Sequence, residues 1–226
     1  ERLLLGVIVG ILVYIALLVY GQVVAQGVVE EKSSRVVEIL LTTIRPWQLM
    51  LGKVAGIGIV GLLQLGTVAV IGVVAGVATD VVNFPASIAA SAAIWAVVWF
   101  LIGYLAYALM FAALGALVSR QEDVGAVTTP AMMVIILPYV LGISILPADP
   151  ENQFLGILAL IPLFSPTLMP MKIAMGTAST AEIVLSLGLT VGLVVALIWL
   201  SGRIYSNAVL RMGSRVRLRD ALRSAV

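Results

Sequence analysis

Long uncharged runs separated by short charged blocks set the pattern of this chain. Residues 3–29, 54–79, 81–119, 124–148, 152–171 and 183–202 hold no Asp, Glu, Lys or Arg. Each reaches the roughly 20 residues that a helix needs to cross the hydrocarbon core of a bilayer. The pattern predicts an all-α fold: a polytopic membrane helical bundle, a single transmembrane domain over 1–226, with spans at about 3–25, 54–78, 88–118, 124–146 and 183–202. The run 81–119 is too long for one span and too short for two with a turn. Pro85 is therefore expected to open its helix in the first turn, where a missing N–H costs nothing. Trp95 and Trp99 fall one turn apart on one face and are expected in the outer interfacial belt.

Charge decides the orientation. The block between the first two spans holds Lys32, Arg35, Arg45 and Lys53, and the chain ends on Arg203, Arg211, Arg215, Arg217, Arg219 and Arg223. The positive-inside rule puts both groups, with Arg120, in the cytoplasm and leaves Arg2 and Lys172 outside. Five crossings satisfy that assignment, so residues 152–171 should enter and leave on the outer side. Pro162, Pro166 and Pro170 recur there every four residues, each lacking an N–H and disrupting a helix interior. The segment reads as an external re-entrant, proline-rich hairpin, in which Ser165 and Thr167 are positioned to bond carbonyls that the prolines leave open. Non-helical backbone at that depth is tolerated only inside protein or beside water. The basic tail, 203–226, is expected to rest on anionic lipid.

From Val29 to Ile44 the period changes. Val29, Val36, Val37, Leu40, Leu41 and Ile44 lie on one helical face, with Glu30, Glu31, Ser34, Arg35, Glu38 and Thr42 on the other. A cytoplasmic amphipathic helix over 29–44 is expected, with Glu31 and Arg35 paired at i, i+4. It should stop at Pro46, which pushes Arg45 out of the α region, and Trp47 should anchor at the interface. Helices that lie on lipid are rich in Lys and Arg on the polar face. Glu30, Glu31 and Glu38 here balance Lys32, Arg35 and Arg45, which suits a protein partner better.

Composition narrows the chemistry. Of 226 residues, 62% are hydrophobic and 11% charged, against about 25% charged in soluble domains. With no His and no Cys, zinc sites of the N/S kind, Ser–His dyads, thiol nucleophiles and disulfides are excluded. Asp80, Asp123, Asp149 and Asp220 lie outside the spans, so no intramembrane hydrolase constellation is visible. The chain is not expected to be an enzyme, nor to bind a cofactor, metal or nucleic acid. An ATP site would need G-x-x-x-x-G-K-[ST], whereas Gly52-Lys53 is followed by Val54 and lacks the earlier glycine. No carboxylate sits near the centre of a span, where such groups mark proton or cation pathways.

Phe100, Tyr104, Tyr107 and Phe111 form a stripe at helical spacing, which packing explains first. Were they to face a cavity, they would suit amphipathic or hydrophobic cargo. Gln22, Gln26, Gln64, Thr67, Thr128 and Thr129 are expected to hydrogen-bond between helices. Gln22, Phe100, Tyr104, Tyr107, Thr128 and Thr129 are the candidate pathway residues. Gly6/Gly10, Gly72/Gly76 and Gly188/Gly192 each make the G-x-x-x-G pattern of close helix packing.

The run Gly27-Val28-Val29-Glu30-Glu31-Lys32-Ser33-Ser34-Arg35-Val36-Val37-Glu38-Ile39-Leu40-Leu41, with Arg45-Pro46, Leu51-Gly52-Lys53, the Pro162–Pro170 segment and Arg211-Met212-Gly213, resembles the permease subunits of type-2 ABC exporters. The likeness is to the sodium-efflux (Nat-type) branch in particular. In that family a first span and a large extracellular domain precede what is here Leu3–Ala25. The chain begins at Glu1 without Met, so an N-terminal part is expected to be missing. The resemblance implies that 29–44 is a coupling helix contacting a separate ABC ATPase through Glu30, Glu31, Lys32, Arg35, Glu38 and Arg45. ATP and Mg would bind on that partner. It further implies a second permease copy or homologue, export of sodium ion or a hydrophobic or amphipathic compound, and alternating access with Pro162, Ser165, Pro166 and Pro170 in an outer gate. The expected place is the plasma membrane of a prokaryote, the inner membrane if Gram-negative, with the C-terminus cytoplasmic. An ion-coupled secondary transporter without an ATPase is the rival, disfavoured by the missing carboxylates and the docking helix.

Overall fold

The structure, a computed structural model, describes residues 2–34, 36–78, 86–209, 216 and 218–222. Among these the regular structure is helical: α1 (Arg2–Ser33), α2 (Val36–Leu40), α3 (Pro46–Ala78), α4 (Ala86–Ala116), a 3₁₀ turn at Gln121–Asp123, α5 (Val124–Ile145), α6 (Gln153–Leu158), α7 (Ser165–Met175), α8 (Thr180–Ala208) and α9 (Leu218–Leu222). Helices α1, α3, α4, α5 and α8 are long and apolar enough to cross a membrane. With 6 residues in α6 and 11 in α7, a rise of about 1.5 Å per residue leaves both short of a ~30 Å hydrocarbon core.

Helix α1 is central, touching α3, α4, α5 and α7. Its buried stripe of Val13, Leu17, Val24, Ala25, Val28 and Val29 meets Phe100, Tyr104, Tyr107 and Phe111 of α4, which are at most 2% exposed. Small residues set how near the helices come. A methyl group added at Gly115 of α4 would stand 2.8 Å from the Ala25 carbonyl oxygen of α1, and one at Gly6 or Gly10 would meet Met175 or Met171 of α7 at 2.5 Å. The Gly6/Gly10 pattern therefore packs helices, whereas Gly72, Gly188 and Gly192 have nothing within 4 Å of that position. Ile59 and Leu63 of α3 and Val184 and Trp199 of α8 point outward, as lipid-facing side chains do.

Several expectations need correction. No continuous helix runs over 29–44: α1 carries on to Ser33, α2 spans only Val36–Leu40, and turns follow. The Ser33 and Ser34 hydroxyls both donate to the Glu30 carbonyl, the local competition with helix hydrogen bonding that makes serine a poor interior residue. Pro46 opens α3, an N1 role to which its fixed φ suits it. Trp99 is buried against Tyr139, Leu168 and Met169 instead of lying in an interfacial belt. Pro85, Arg35 and the tail residues Arg211, Met212, Gly213, Arg215, Arg217 and Arg223 lie outside the described residues.

The proline segment is more regular than expected. Pro166 sits in the first turn of α7 and Pro170 inside it, so only Pro162 occupies the turn from α6. A first-turn proline sacrifices no helix bond, and Pro170 removes one from a helix enclosed by protein. Ser165 Oγ donates to the Ala159 and Ile161 carbonyls at 2.7 and 2.9 Å, and Thr167 Oγ1 to Phe164 at 2.9 Å. Gly176, at φ 78°, ends α7, a left-handed position that suits glycine.

Candidate functional site

The C-terminal ends of α1, α4 and α8 meet the starts of α3 and α5 at one end of the bundle. Lys32 joins the first three, Gln121 Nε2 donates to the Gln26 carbonyl at 3.1 Å, and the Val216 N–H donates to the Leu117 carbonyl at 2.9 Å. Lys53, Arg45, Arg120, Arg203 and Arg219 belong to the same end by their places in these elements. At the other end, Arg2, Asp149, Glu151 and Thr177 line one cavity of about 600 Å³. Lys172 and Glu182 pair there at 3.0 Å, inside a Ser179 capping box. One end of the molecule thus carries most of the described basic residues.

The basic end is built on two neighbouring residues of α1. Glu31 Oε1 accepts an ion pair from Lys53 of α3 at 2.7 Å. Lys32 is 1% exposed, and its ammonium donates to the Ala116 carbonyl at 2.8 Å and the Ala208 carbonyl at 2.9 Å. Those are the last residues of α4 and α8, where carbonyls have no helical partner and the helix dipole is negative. Tyr205 and Glu31 are electrostatic neighbours. The Tyr205 hydroxyl and Glu31 Oε2 are both buried without a hydrogen-bond partner among the described residues.

Outside this layer most of the described residues in the connection from α1 to α3 are exposed. Glu30, Glu38, Thr42, Thr43 and Arg45 are exposed, and Ile39 is 73% exposed. Val37, fully buried, and Leu41 fasten α2 to the core. Of the predicted contact residues, Glu30, Glu38 and Arg45 therefore form a surface, Glu31 faces α3, Lys32 is inside, and Arg35 is outside the described residues. The α1 helix of 32 residues extends about 48 Å, more than a ~30 Å hydrocarbon core, so this surface can stand clear of lipid. Trp47, beside it, joins Trp199 and Arg203 in lining a second cavity of about 520 Å³, with the Arg203 guanidinium 5.7 Å from the Trp199 ring.

The candidate pathway residues divide. Phe100, Tyr104 and Tyr107 are interior: Tyr104 donates to the Val54 carbonyl at 2.7 Å and Tyr107 to the Leu163 carbonyl in the turn before α7. Thr128 is buried and bonds Val124 within its own helix at 2.9 Å, not another helix as expected. Thr129 bonds Gly125 in the same way but is exposed. Gln22 Oε1 is buried without a partner among the described residues. Gln64 accepts from the Tyr20 hydroxyl across α1 and α3. The hairpin residues Ser165, Pro166 and Pro170 are buried, with Pro162 partly so.

Comparison with known proteins fits this architecture. The uncharacterized protein YhaP of Bacillus subtilis (strain 168) is 32% identical over 211 residues, an alignment covering 89% of this chain and 50% of the relative. The uncharacterized protein MJ1024 of Methanocaldococcus jannaschii is 25% identical over 212 residues, covering 94% of this chain and 51% of that protein. The chain spans about half the length of the curated relatives it matches. No solved structure matches it. The family profile described as ABC-2 family transporter protein matches residues 3–203. A multi-pass membrane protein, the chain belongs to the ABC-2 family of transporter permeases.

Proposed function

We propose that the chain is the membrane-spanning part of an ATP-driven exporter permease, working as a pair with two copies of a separate ATPase. The observation that carries this is the exposed Glu30–Arg45 connection in an ABC-2 permease. It stands at the basic end of the bundle, joins two spanning helices, and is tied by Glu31, Lys32 and Val37 to α3, α4 and α8. The surface of Glu30, Glu38, Ile39 and Arg45 is a mixed charged and apolar patch, the composition that a protein partner complements. By the positive-inside rule this end is cytoplasmic. The α6–α7 pair then lies on the outer side as a re-entrant element, and the setting is a prokaryotic plasma membrane. Among the residues proposed for the pathway, Thr129 is exposed and Gln22 has a buried side-chain oxygen with no partner among the described residues. The cargo class is sodium ion or a hydrophobic or amphipathic compound.

The test is reconstitution of the full-length permease with its ATPase in vesicles, comparing efflux of sodium, labelled lipid and hydrophobic dyes with and without ATP. Glu38→Lys is the diagnostic variant. It should leave the permease folded and inserted while severalfold reducing both ATPase stimulation and transport. Undiminished coupling in Glu38→Lys would reduce the connection to a surface anchor, and transport driven by an ion gradient without ATP would overturn the exporter reading.

A further inference from the structure

Helices α4 and α8 end side by side, and the group that joins their ends belongs to neither. We propose that Lys32 is a positioning residue: its buried ammonium fastens the ends of α1, α4 and α8 into one rigid unit that carries movement of the exposed connection into the bundle. This rests on the exporter reading.

The geometry favours a pin over a latch. A lysine ammonium has three donors, and two of them reach the Ala116 and Ala208 carbonyls at 2.8 and 2.9 Å. Charge-assisted bonds of this kind are stronger than neutral ones. Lys32 is 1% exposed, so a shift that breaks either bond without admitting water leaves a buried cation short of a partner, a heavily penalised state. The α1–α4 contact is backbone-close just above, at Gly115 and Ala25, which leaves those two helices little room to slide. The ion pair to α3 is different in kind, while the Tyr104–Val54 and Tyr20–Gln64 hydrogen bonds also hold α3 to α4 and α1. Glu31 and Lys53 have side chains 28% and 10% exposed, so that pair can exchange its partners for water. Movement of the connection should accordingly shift the ends of α1, α4 and α8 together.

The experiment uses the full-length permease with its ATPase in nanodiscs, spin-labelled through Arg120→Cys, just past α4, and Ser206→Cys, in the last turn of α8. A separate protein carrying Ser165→Cys reports labelling from the outer side. Trapping with ATP and vanadate should raise Ser165→Cys labelling severalfold, while the Arg120–Ser206 distance stays within the ~2 Å of small helix shifts. In Lys32→Met, which keeps the apolar stem and loses the donors, that distance should lengthen or broaden on trapping. The outer response should vanish while the partner still hydrolyses ATP. Lys32→Arg, which restores a donor cation, should recover both. An outer response in the parent protein accompanied by a change of about one helical turn, ~5 Å, between the labels overturns the pin, even should Lys32→Met fail to reach the membrane. So does Lys32→Met with an intact outer response. No nucleotide response anywhere in the parent protein counts against the exporter reading instead.

Discussion

Replacing Gly103 with alanine tests how α7 is held. This short helix is packed between α1 and α4, and on the α4 side the approach is made at Gly103, where an added methyl would overlap Pro166 Cβ and stand 2.9 Å from its Cγ and 3.4 Å from Leu17 Cδ2. A methionine could turn aside, but a pyrrolidine ring is fixed to its own backbone. Relief must come from moving α7 as a whole. Overpacking of a filled interior costs about 1–3 kcal/mol, while alanine gains roughly 1 kcal/mol over glycine in a helix. Against a ring that cannot turn aside, the cost falls in the upper part of that range, about 2–3 kcal/mol, so net destabilisation should be about 1–2 kcal/mol. Gly188 on α8 is the matched control, since nothing lies within 4 Å of the added methyl and only the helix gain of about 1 kcal/mol remains. The same chemical change should therefore act with opposite signs at the two sites. In thermal unfolding of the purified protein in one detergent, about 2–4 °C per kcal/mol is expected for a chain of this size. Gly103→Ala should lower the midpoint and Gly188→Ala should raise it. An unchanged or higher midpoint in Gly103→Ala would show that α7 is not confined against α4.

Other outcomes follow from the same contacts. Tyr107→Phe removes the hydroxyl that bonds the Leu163 carbonyl, and should cost about 1–2 kcal/mol in unfolding free energy; a neutral effect would deny that tie between α4 and the α6–α7 turn. In a double-mutant cycle of Glu31→Gln and Lys53→Met, the coupling should be on the order of 1 kcal/mol, and additive effects would show that the pair does not join α1 to α3. Single cysteines at Ser34 and Gln121 should react with an impermeant reagent only from the cytoplasmic side and one at Thr177 only from outside. The same rule extends to Ser214, inside, and Asn83, outside, both beyond the described residues; Ser214→Cys labelling in intact cells would overturn the five-crossing topology.

The spanning helices were legible because a bilayer imposes one coarse requirement, an uncharged run of sufficient length, and charge blocks delimit such runs in any sequence. Lys32 was not. A charge count assigns Lys32 to the polar face, although it stands three residues after Val29 and four before Val36, same-face spacings in a helix. Continuing the phase of the span itself, through Leu17, Val24, Ala25, Val28 and Val29, brings Lys32 onto the buried stripe, because α1 does not end where the apolar residues end. What the ammonium bonds could not be read at all, since Ala116 and Ala208 lie 84 and 176 residues away and contribute only backbone. The aromatic stripe of α4 was readable as packing, but the carbonyls taken by Tyr104 and Tyr107 were not. Prolines misled in the opposite direction: spacing alone does not distinguish a first-turn proline such as Pro166 from one that breaks a helix.

The two ends of the bundle are held by different forces, and that bears on where it can move. At the basic end, buried charge meets backbone carbonyls, an arrangement with a steep penalty for separation. At the other end, α7 carries a buried cation of its own, Lys172, paired with Glu182 of α8 at 3.0 Å, but against α1, α4 and α5 it is held by fit: Met171 and Met175 fill the space over Gly10, Gly142 and Gly6, and Pro166 abuts Gly103. Methionine side chains repack with little loss, and helices gain no hydrophobic attraction for each other in lipid. A push delivered at the basic end should pass through α1 and α4 as rigid bodies and be absorbed where side chains can rearrange, around α7. In the exporter reading that places the moving element on the outer side, around Ser165, although the push originates at the opposite end of the molecule.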